Sequence, residues 1–171
     1  MSGVSFVFDI KDIKGKGFSD IIKVIRERKI KMEDWRTPLR KIATQMYRAV
    51  MLNFRTQGAR TPGGAWVPLS DVTLERRRKG RGSRSPRILQ DSGLLMGSII
   101  PEATDKMAKV GVNLPYAATM QFGARKGAIG KTKRGSPIPW GDIPARPFMV
   151  LNADDKLKID KLGLRVLQGK D

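Results

Sequence analysis

Cysteine and histidine are both absent from this 171-residue sequence, and each absence removes a class of chemistry. Without cysteine the chain has neither disulfides nor a thiol nucleophile, which fits assembly in a reducing cytoplasm. Without histidine it lacks the commonest metal ligand and the usual proton shuttle at neutral pH. The neighbouring carboxylates Asp154 and Asp155 would point in different directions on a helix, so they form no acid–base pair. We therefore predict that the protein is not an enzyme and uses no cofactor, with a Ser–Lys or all-carboxylate enzyme as a remote alternative.

Aromatic residues and long apolar runs are also scarce. Aromatic side chains make up 6% of the chain, so each of Trp35, Trp66 and Trp140 matters more than usual, and Trp35 is expected to be an anchor. No apolar run approaches the roughly 20 residues that span a bilayer, and residues 1–12 lack the pattern of a signal peptide. The hydrophobic content of 40% suffices for one modest core, which predicts a single domain over residues 1–171.

Acidic residues are outnumbered, with 16 carboxylates against 34 basic side chains and a net charge of +18. Such a field attracts anionic partners: nucleic acid, an anionic membrane or an acidic protein surface. We predict that two basic loops form the partner-binding surface: Arg76, Arg77, Arg78, Lys79, Arg81, Arg84 and Arg87 in the first, and Arg125, Lys126, Lys131, Lys133 and Arg134 in the second. Neither cluster contains an aromatic residue, which disfavours stacking on single-stranded nucleic acid.

The hydrophobic periodicity predicts an α+β fold, with helices packed on a small mixed or antiparallel sheet and long basic loops between them. Thr37 and Pro38 suit the start of a long amphipathic helix, and Gly58 suits its end. The predicted helices span residues 19–29, 38–57, 71–78, 94–96, 115–121 and 152–167, and the predicted strands span 4–10, 98–101 and 107–112. The Gly-rich segments 79–87 and 124–139 are expected to be loops, the first of them mobile.

Four short motifs follow one another along the middle and C-terminal half of the chain, and each joins an apolar anchor to Gly or Pro. They are Gly63-Gly64-Ala65-Trp66-Val67-Pro68-Leu69-Ser70, Ile88-Leu89-Gln90-Asp91-Ser92-Gly93-Leu94-Leu95, Tyr116-Ala117-Ala118-Thr119-Met120-Gln121-Phe122-Gly123 and Ile143-Pro144-Ala145-Arg146-Pro147-Phe148. The second is not a phosphate-binding loop, because no Gly-x4-Gly-Lys-Ser/Thr run is present.

Simple local roles account for most of these motif residues. Trp66 is expected to pin a loop to the body of the protein. Ser92 is expected to cap a short helix in which Leu94 and Leu95 are core residues. Arg146, stiffened by a proline on each side, suits a bidentate bond to a carboxylate, with a partner in the same chain slightly favoured over one in another subunit.

In their order and combination, the four motifs resemble the phage virion morphogenesis family, the tail-completion proteins of Mu-like contractile-tailed phages. The resemblance covers about residues 37–151, with an N-terminal arm at 1–36 and a C-terminal helix at 152–171 outside it. By this resemblance, the motif residues with structural or interface roles are Trp66, Pro68, Leu69, Gly93, Leu94, Tyr116, Phe122, Gly123, Arg146, Pro147 and Phe148.

The family resemblance implies a virion protein of the phage neck or tail end, assembled in the host cytoplasm. It would form a homo-oligomeric ring, sixfold or twelvefold, that completes the tail and joins it to the DNA-filled head. The implied partners are further copies of itself, the head-completion or connector protein, and the tail-terminator or tail-tube protein. Non-specific contact with packaged DNA is compatible with the charge, and no membrane partner is implied.

The alternative function is a basic nucleic-acid-binding module, such as a packaging or ribosome-associated protein. The +18 charge favours this alternative. The lack of a helix-turn-helix, zinc or single-strand-binding signature opposes it.

Overall fold

A computed structural model describes residues 4–9, 36–80 and 85–167, with only the backbone described for 4–9 and 166–167. The helices are α1 (Arg36–Arg55), α2 (Asp71–Arg78), α3 (Leu94–Gly97), α4 (Ala117–Phe122) and α5 (Ala153–Leu167). The strands are β1 (Val4–Asp9), β2 (Ile99–Ala103), β3 (Met107–Val112), β4 (Gly130–Lys131) and β5 (Pro137–Ile138). This content confirms the predicted α+β class, whereas the helix predicted at 19–29 lies outside the described residues.

The chain divides into two compact units, between which it passes repeatedly. Unit 1 comprises residues 1–4, 50–99 and 112–150, and unit 2 comprises residues 5–49, 100–111 and 151–171. The division does not follow the predicted arm, core and C-terminal helix, and the single-domain organisation stays a prediction.

Unit 2 contains most of a three-stranded sheet in the order β1-β3-β2. The connection between β2 and β3 is too short for a parallel crossover, so these strands form an antiparallel hairpin. Its turn is closed by the Thr104 N–H, which donates to the Met107 carbonyl at 2.9 Å. Ala108 and Val110 on the central strand are fully buried, as their alternation predicts.

The structure shows where two of the predicted helices begin. At α5, Asn152 and Asp155 cap each other: the Asp155 N–H donates to Asn152 Oδ1 at 2.8 Å, and the Asn152 N–H donates to Asp155 Oδ2 at 3.2 Å. This reciprocal cap explains why Asp155 is a buried carboxylate. At α1 the helix begins at Arg36, two residues before the predicted start at Pro38, so the prediction that Thr37 is the N-cap is wrong.

The C-terminus of α1 forms a Schellman motif within unit 1. The Gly58 N–H donates to the Asn53 carbonyl at 2.9 Å, and the Gln57 N–H donates to the Phe54 carbonyl at 3.3 Å. Gln57 occupies the left-handed position with φ of 50°, and Gly58 follows with φ of 83°. Gly58 therefore contributes to the helix stop as predicted, but Gln57 takes the position where glycine is usual.

The segment at 124–139, predicted to be a loop, instead folds into a hairpin. Strands β4 and β5 pair antiparallel, with Gly130 opposite Ile138 and Lys131 opposite Pro137. An isolated bridge between Ala124 and Ile143 closes its base. The strands are two residues long, too short for hydrophobic alternation to reveal them in the sequence. We call residues 124–143 the basic hairpin.

Candidate interaction site

The first and fourth motifs bind each other in unit 1, although about eighty residues separate them in sequence. Trp66 is 4% exposed and donates from Nε1 to the Pro147 carbonyl at 3.0 Å. Its ring meets the fully buried Phe54 edge to face, with centroids 5.7 Å apart. Phe148 packs on the other side of that contact, 5.4 Å from Phe54 between centroids. The predicted anchoring role of Trp66 and the predicted burial of Phe148 are confirmed.

Arg146 is held inside the protein by carbonyl groups rather than by a carboxylate. Its Nε donates to the Val67 carbonyl at 3.0 Å, and its Nη2 donates to the Pro68 carbonyl at 3.2 Å. Within the described residues it makes no ion pair, so the predicted intramolecular pairing with a carboxylate is wrong. Burial without a nearby anion lowers the pKa of the Arg146 guanidinium by desolvation. The side chain thus stiffens the first motif through its backbone.

The third motif joins the fourth through one buried amide. Gln121 Oε1 accepts hydrogen bonds from the N–H groups of Phe148 and Met149, both at 3.0 Å. Next to it, Gly123 has φ of 75°, and a Cβ there would lie 2.7 Å from the Ile143 carbonyl oxygen. Only glycine fits at this position, because both the backbone angle and the close approach exclude a side chain.

The second motif is tied to the end of α1. The Gln90 side-chain amide donates to the Phe54 carbonyl at 2.9 Å, and the Ile88 N–H donates to Gln57 Oε1 at 3.1 Å. Gly93, with φ of 78°, is the residue that precedes α3, so the prediction that Ser92 is the N-cap is wrong. Ser92 Oγ nevertheless accepts a bond from the Leu94 N–H at 3.3 Å.

A surface cleft of about 310 Å³ opens where the four motifs converge. We call it the motif cleft. Its apolar wall comprises Leu69, Leu89, Leu94, Leu95, Tyr116 and Met120. Leu94 is 55% exposed and Tyr116 is 40% exposed, so the prediction that Leu94 is a core residue is wrong. Arg77, Arg146 and Asp91 supply the charged groups of the lining.

Arg77 differs from Arg76, Arg78 and Arg87, because it is buried and structural. Its Nη1 donates to the carbonyls of Ser85 and Arg87 at 2.7 and 2.9 Å. Its Nε lies 3.7 Å from Asp91 Oδ1. These contacts tie α2 to the C-terminal end of the 79–87 segment. Residues 81–84 of that segment, including Arg81 and Arg84, lie outside the described part of the chain.

Exposed cationic side chains lie on either side of Arg77 in the sequence. Helix α2 is capped at Ser70, whose Oγ accepts a bond from the Thr73 N–H at 3.4 Å. Arg76 and Arg78 on α2 are exposed. The Lys79 ammonium lies 3.7 Å from the Glu75 carboxylate, and this ion pair is exposed to solvent. The exposed members of the two predicted clusters are Arg76, Arg78, Lys79, Arg87, Arg125, Lys126, Lys131, Lys133 and Arg134.

The basic hairpin is amphipathic as well as cationic. Trp140 is 73% exposed and Ile129 is 59% exposed, and Phe122 just before the hairpin is 71% exposed. The Lys126 N–H donates to Asp142 Oδ1 at 2.7 Å, which ties the two legs of the hairpin together. Exposed apolar side chains of this size, rimmed by charge, are typical of protein–protein interaction surfaces.

The described residues offer no assembled metal or membrane element. No group of three or more carboxylate side chains among them is placed to hold a metal ion. None of the described helices combines the length and apolarity needed to cross a bilayer. What the motifs assemble is a rigid, hydrogen-bonded surface that bears a cleft and exposed cations.

Residues 13–168 match the phage virion morphogenesis family. The chain belongs to this family. It is also 38% identical over 125 residues, 72% of each chain, to Mu-like prophage FluMu G protein 2 of Haemophilus influenzae strain Rd. No solved structure matches the chain. The family match extends beyond residues 37–151, where the motifs lie, to include most of the N-terminal segment and α5.

Membership confirms the resemblance drawn from the four motifs and gives the chain a role in phage virion morphogenesis. A morphogenesis role accords with a site built from anchors and hydrogen bonds.

Proposed function

We propose that this protein completes the phage tail and joins it to the DNA-filled head, as a homo-oligomeric ring in the neck. Its membership of the virion morphogenesis family supports partners among other virion proteins and the packaged genome. The observation that carries the proposal is the exposed cationic surface of α2 and the basic hairpin, held by a rigid network of motif hydrogen bonds. A rigid scaffold that presents charged segments suits assembly on acidic neighbours.

The geometry favours protein partners over DNA for this surface. Exposed apolar side chains such as Trp140 and Ile129 accompany the cations of the hairpin, whereas contacts with duplex phosphates use polar and basic groups. A strongly cationic lumen would also hold the genome back during ejection. Docking of the hairpin and α2 on the adjoining connector or terminator ring uses both the apolar and the charged groups.

Removal of the protein from an inducible phage tests the joining role. Negative-stain images should show full heads beside unattached tails of normal length. Long, uncontrolled tails would instead indicate a tail-terminator role and contradict the proposal. Native mass measurement of the purified protein tests the ring directly.

Charge reversal tests the surface. The double variant Arg76→Glu/Arg78→Glu lowers the net charge by four and should leave the subunit folded but block head–tail joining, because it repels an acidic partner. The control Lys158→Glu/Lys161→Glu makes the same charge change at exposed positions of α5. Equal loss of joined particles in both variants would mean that total charge matters rather than this surface.

The nucleic-acid-binding alternative predicts a different result in a salt titration. Tight binding of the purified protein to duplex DNA, with a steep dependence on salt concentration, would favour it over the neck role. Weak binding together with a ring by mass would support the proposal.

A further inference from the structure

The motif cleft combines exposed apolar side chains with two guanidinium groups that are largely buried. Leu94 and Tyr116 form the accessible rim, at 55% and 40% exposure. Arg146 and Arg77 line the same cleft. Covering exposed leucine and tyrosine side chains with a partner lowers the free energy of the complex. Guanidinium groups bind carboxylates.

Arg146 keeps part of its donor capacity for a ligand. A guanidinium has five N–H donors, and the carbonyl bonds of Arg146 use Nε and Nη2. No bond from Nη1 to a described residue is present. Every fully buried side-chain nitrogen and oxygen of the described residues has a partner. Nη1 is therefore in contact with solvent, and the cleft is the surface that Arg146 lines.

The cleft carries a net positive charge. Its two guanidinium groups outnumber the single carboxylate of Asp91, which pairs with Arg77. A smaller cleft of about 230 Å³ adjoins it, shares Arg77 and Asp91, and adds Arg76. Charge complementarity therefore selects an acidic occupant and disfavours a second copy of this chain, which has 34 basic and 16 acidic residues.

We propose that the motif cleft binds an extended acidic segment of a neighbouring virion protein, with an apolar side chain on Leu94 and Tyr116 and a carboxylate on Arg146. At about 310 Å³ the cleft has the volume of a small ligand pocket, enough for one or two side chains. The proposal rests on the proposed function only for the location of that neighbour in the virion. The acidic and apolar character of the bound segment is argued from the cleft itself.

Peptide binding to the purified full chain tests this inference. The probe is a short fluorescent peptide of alternating glutamate and leucine, followed by anisotropy, with two reference peptides in which either glutamine replaces glutamate or serine replaces leucine. We expect saturable binding of the first peptide and a loss of about tenfold in affinity for each reference peptide. Equal binding of the serine peptide would mean bulk charge attraction and would overturn the proposal, as would the absence of saturable binding.

A pair of variants locates the binding. Leu94→Ser removes the exposed rim of the cleft, whereas Val72→Ser changes an exposed apolar residue, 69% accessible, that does not line it. We expect about a tenfold loss of affinity for Leu94→Ser and less than about a twofold change for Val72→Ser. A similar loss in both variants would place the peptide elsewhere and overturn the proposal.

Duplex DNA serves as the last competitor. If DNA displaces the peptide and its own binding falls about tenfold in Leu94→Ser, the cleft is a nucleic-acid site and the proposal is wrong. The peptide assay uses no phage particles, so a negative result leaves the head–tail joining proposal untouched. A negative joining test likewise leaves peptide binding to the cleft untouched.

Discussion

Gly58 gives the sharpest test of how the motifs hold unit 1 together. It follows α1 in the left-handed region, and a Cβ built on it would lie 2.6 Å from Trp66 Nε1 and 2.7 Å from Cγ. The indole cannot yield freely, because Nε1 is bonded to the Pro147 carbonyl and the ring packs on Phe54. We therefore predict that Gly58→Ala is strongly destabilising.

Gly64 provides the matched control for this substitution. Its φ is 76°, close to the 83° of Gly58, but a Cβ on Gly64 would meet nothing within 4 Å. Both alanine variants bear the backbone strain of a left-handed residue, about 1 kcal/mol. Only Gly58→Ala adds an overpacked contact of about 1–3 kcal/mol and the loss of a buried hydrogen bond of about 1 kcal/mol.

Backbone strain, which both variants bear, and the clash with Trp66, which only Gly58→Ala bears, predict different losses of stability. Gly58→Ala should lower the free energy of unfolding by about 3–5 kcal/mol and Gly64→Ala by about 1 kcal/mol. For a chain of this length, each kcal/mol corresponds to roughly 2–4 °C in Tm. Urea and thermal unfolding followed by circular dichroism measure both quantities. The emission of Trp66 in a Trp35→Phe/Trp140→Phe background reports whether the indole has moved.

A difference between the two alanine variants below about 1 kcal/mol would refute the reasoning, because it would mean that the Trp66 ring adapts without loss. An unshifted Trp66 emission in a strongly destabilised Gly58→Ala protein would also contradict it, since the predicted cause is displacement of that ring.

Two further predictions concern the buried polar groups. Gln121→Leu should cost about 2–4 kcal/mol in urea unfolding, because the N–H groups of Phe148 and Met149 lose their acceptor, whereas Gln121→Glu, which retains a carbonyl-type acceptor, should cost less. Arg146→Lys should cost about 1–3 kcal/mol, because an ammonium cannot span both carbonyls as the planar guanidinium does. Desolvation lowers the pKa of Arg146 in the folded protein, so loss of its proton would raise the free energy of unfolding, and only at strongly alkaline pH. Curves of unfolding free energy against pH should therefore show no step from this group near neutral pH.

Local patterns in the sequence were sufficient for several elements. The stripe of apolar residues predicted α1, and the alternation of Ala108, Val110 and Val112 predicted β3. Helix α2 was predicted at residues 71–78, where the structure has it, because the start of a helix depends on residues within one turn. The order of the motifs also predicted the family, which the match over residues 13–168 confirms.

Other features depended on groups far apart in the chain. The carbonyl partners of Arg146 lie in the first motif, and flanking prolines carry no information about them. The burial of Arg77 follows from its bonds across the 79–87 segment, whereas the sequence shows only one arginine in a basic run. The basic hairpin has strands too short to produce a recognisable period, so composition suggested a loop.

By itself, the sequence determined the fold class, the excess of positive charge, the absence of cysteine and histidine chemistry, and the family. These properties depend on composition, on local periodicity and on the order of short motifs. Only the tertiary structure decided that Leu94 is exposed, that Arg77 is internal and that the four motifs meet around one cleft. Such facts follow from which distant backbone carbonyls and amides each side chain reaches, and that depends on how the chain folds back on itself.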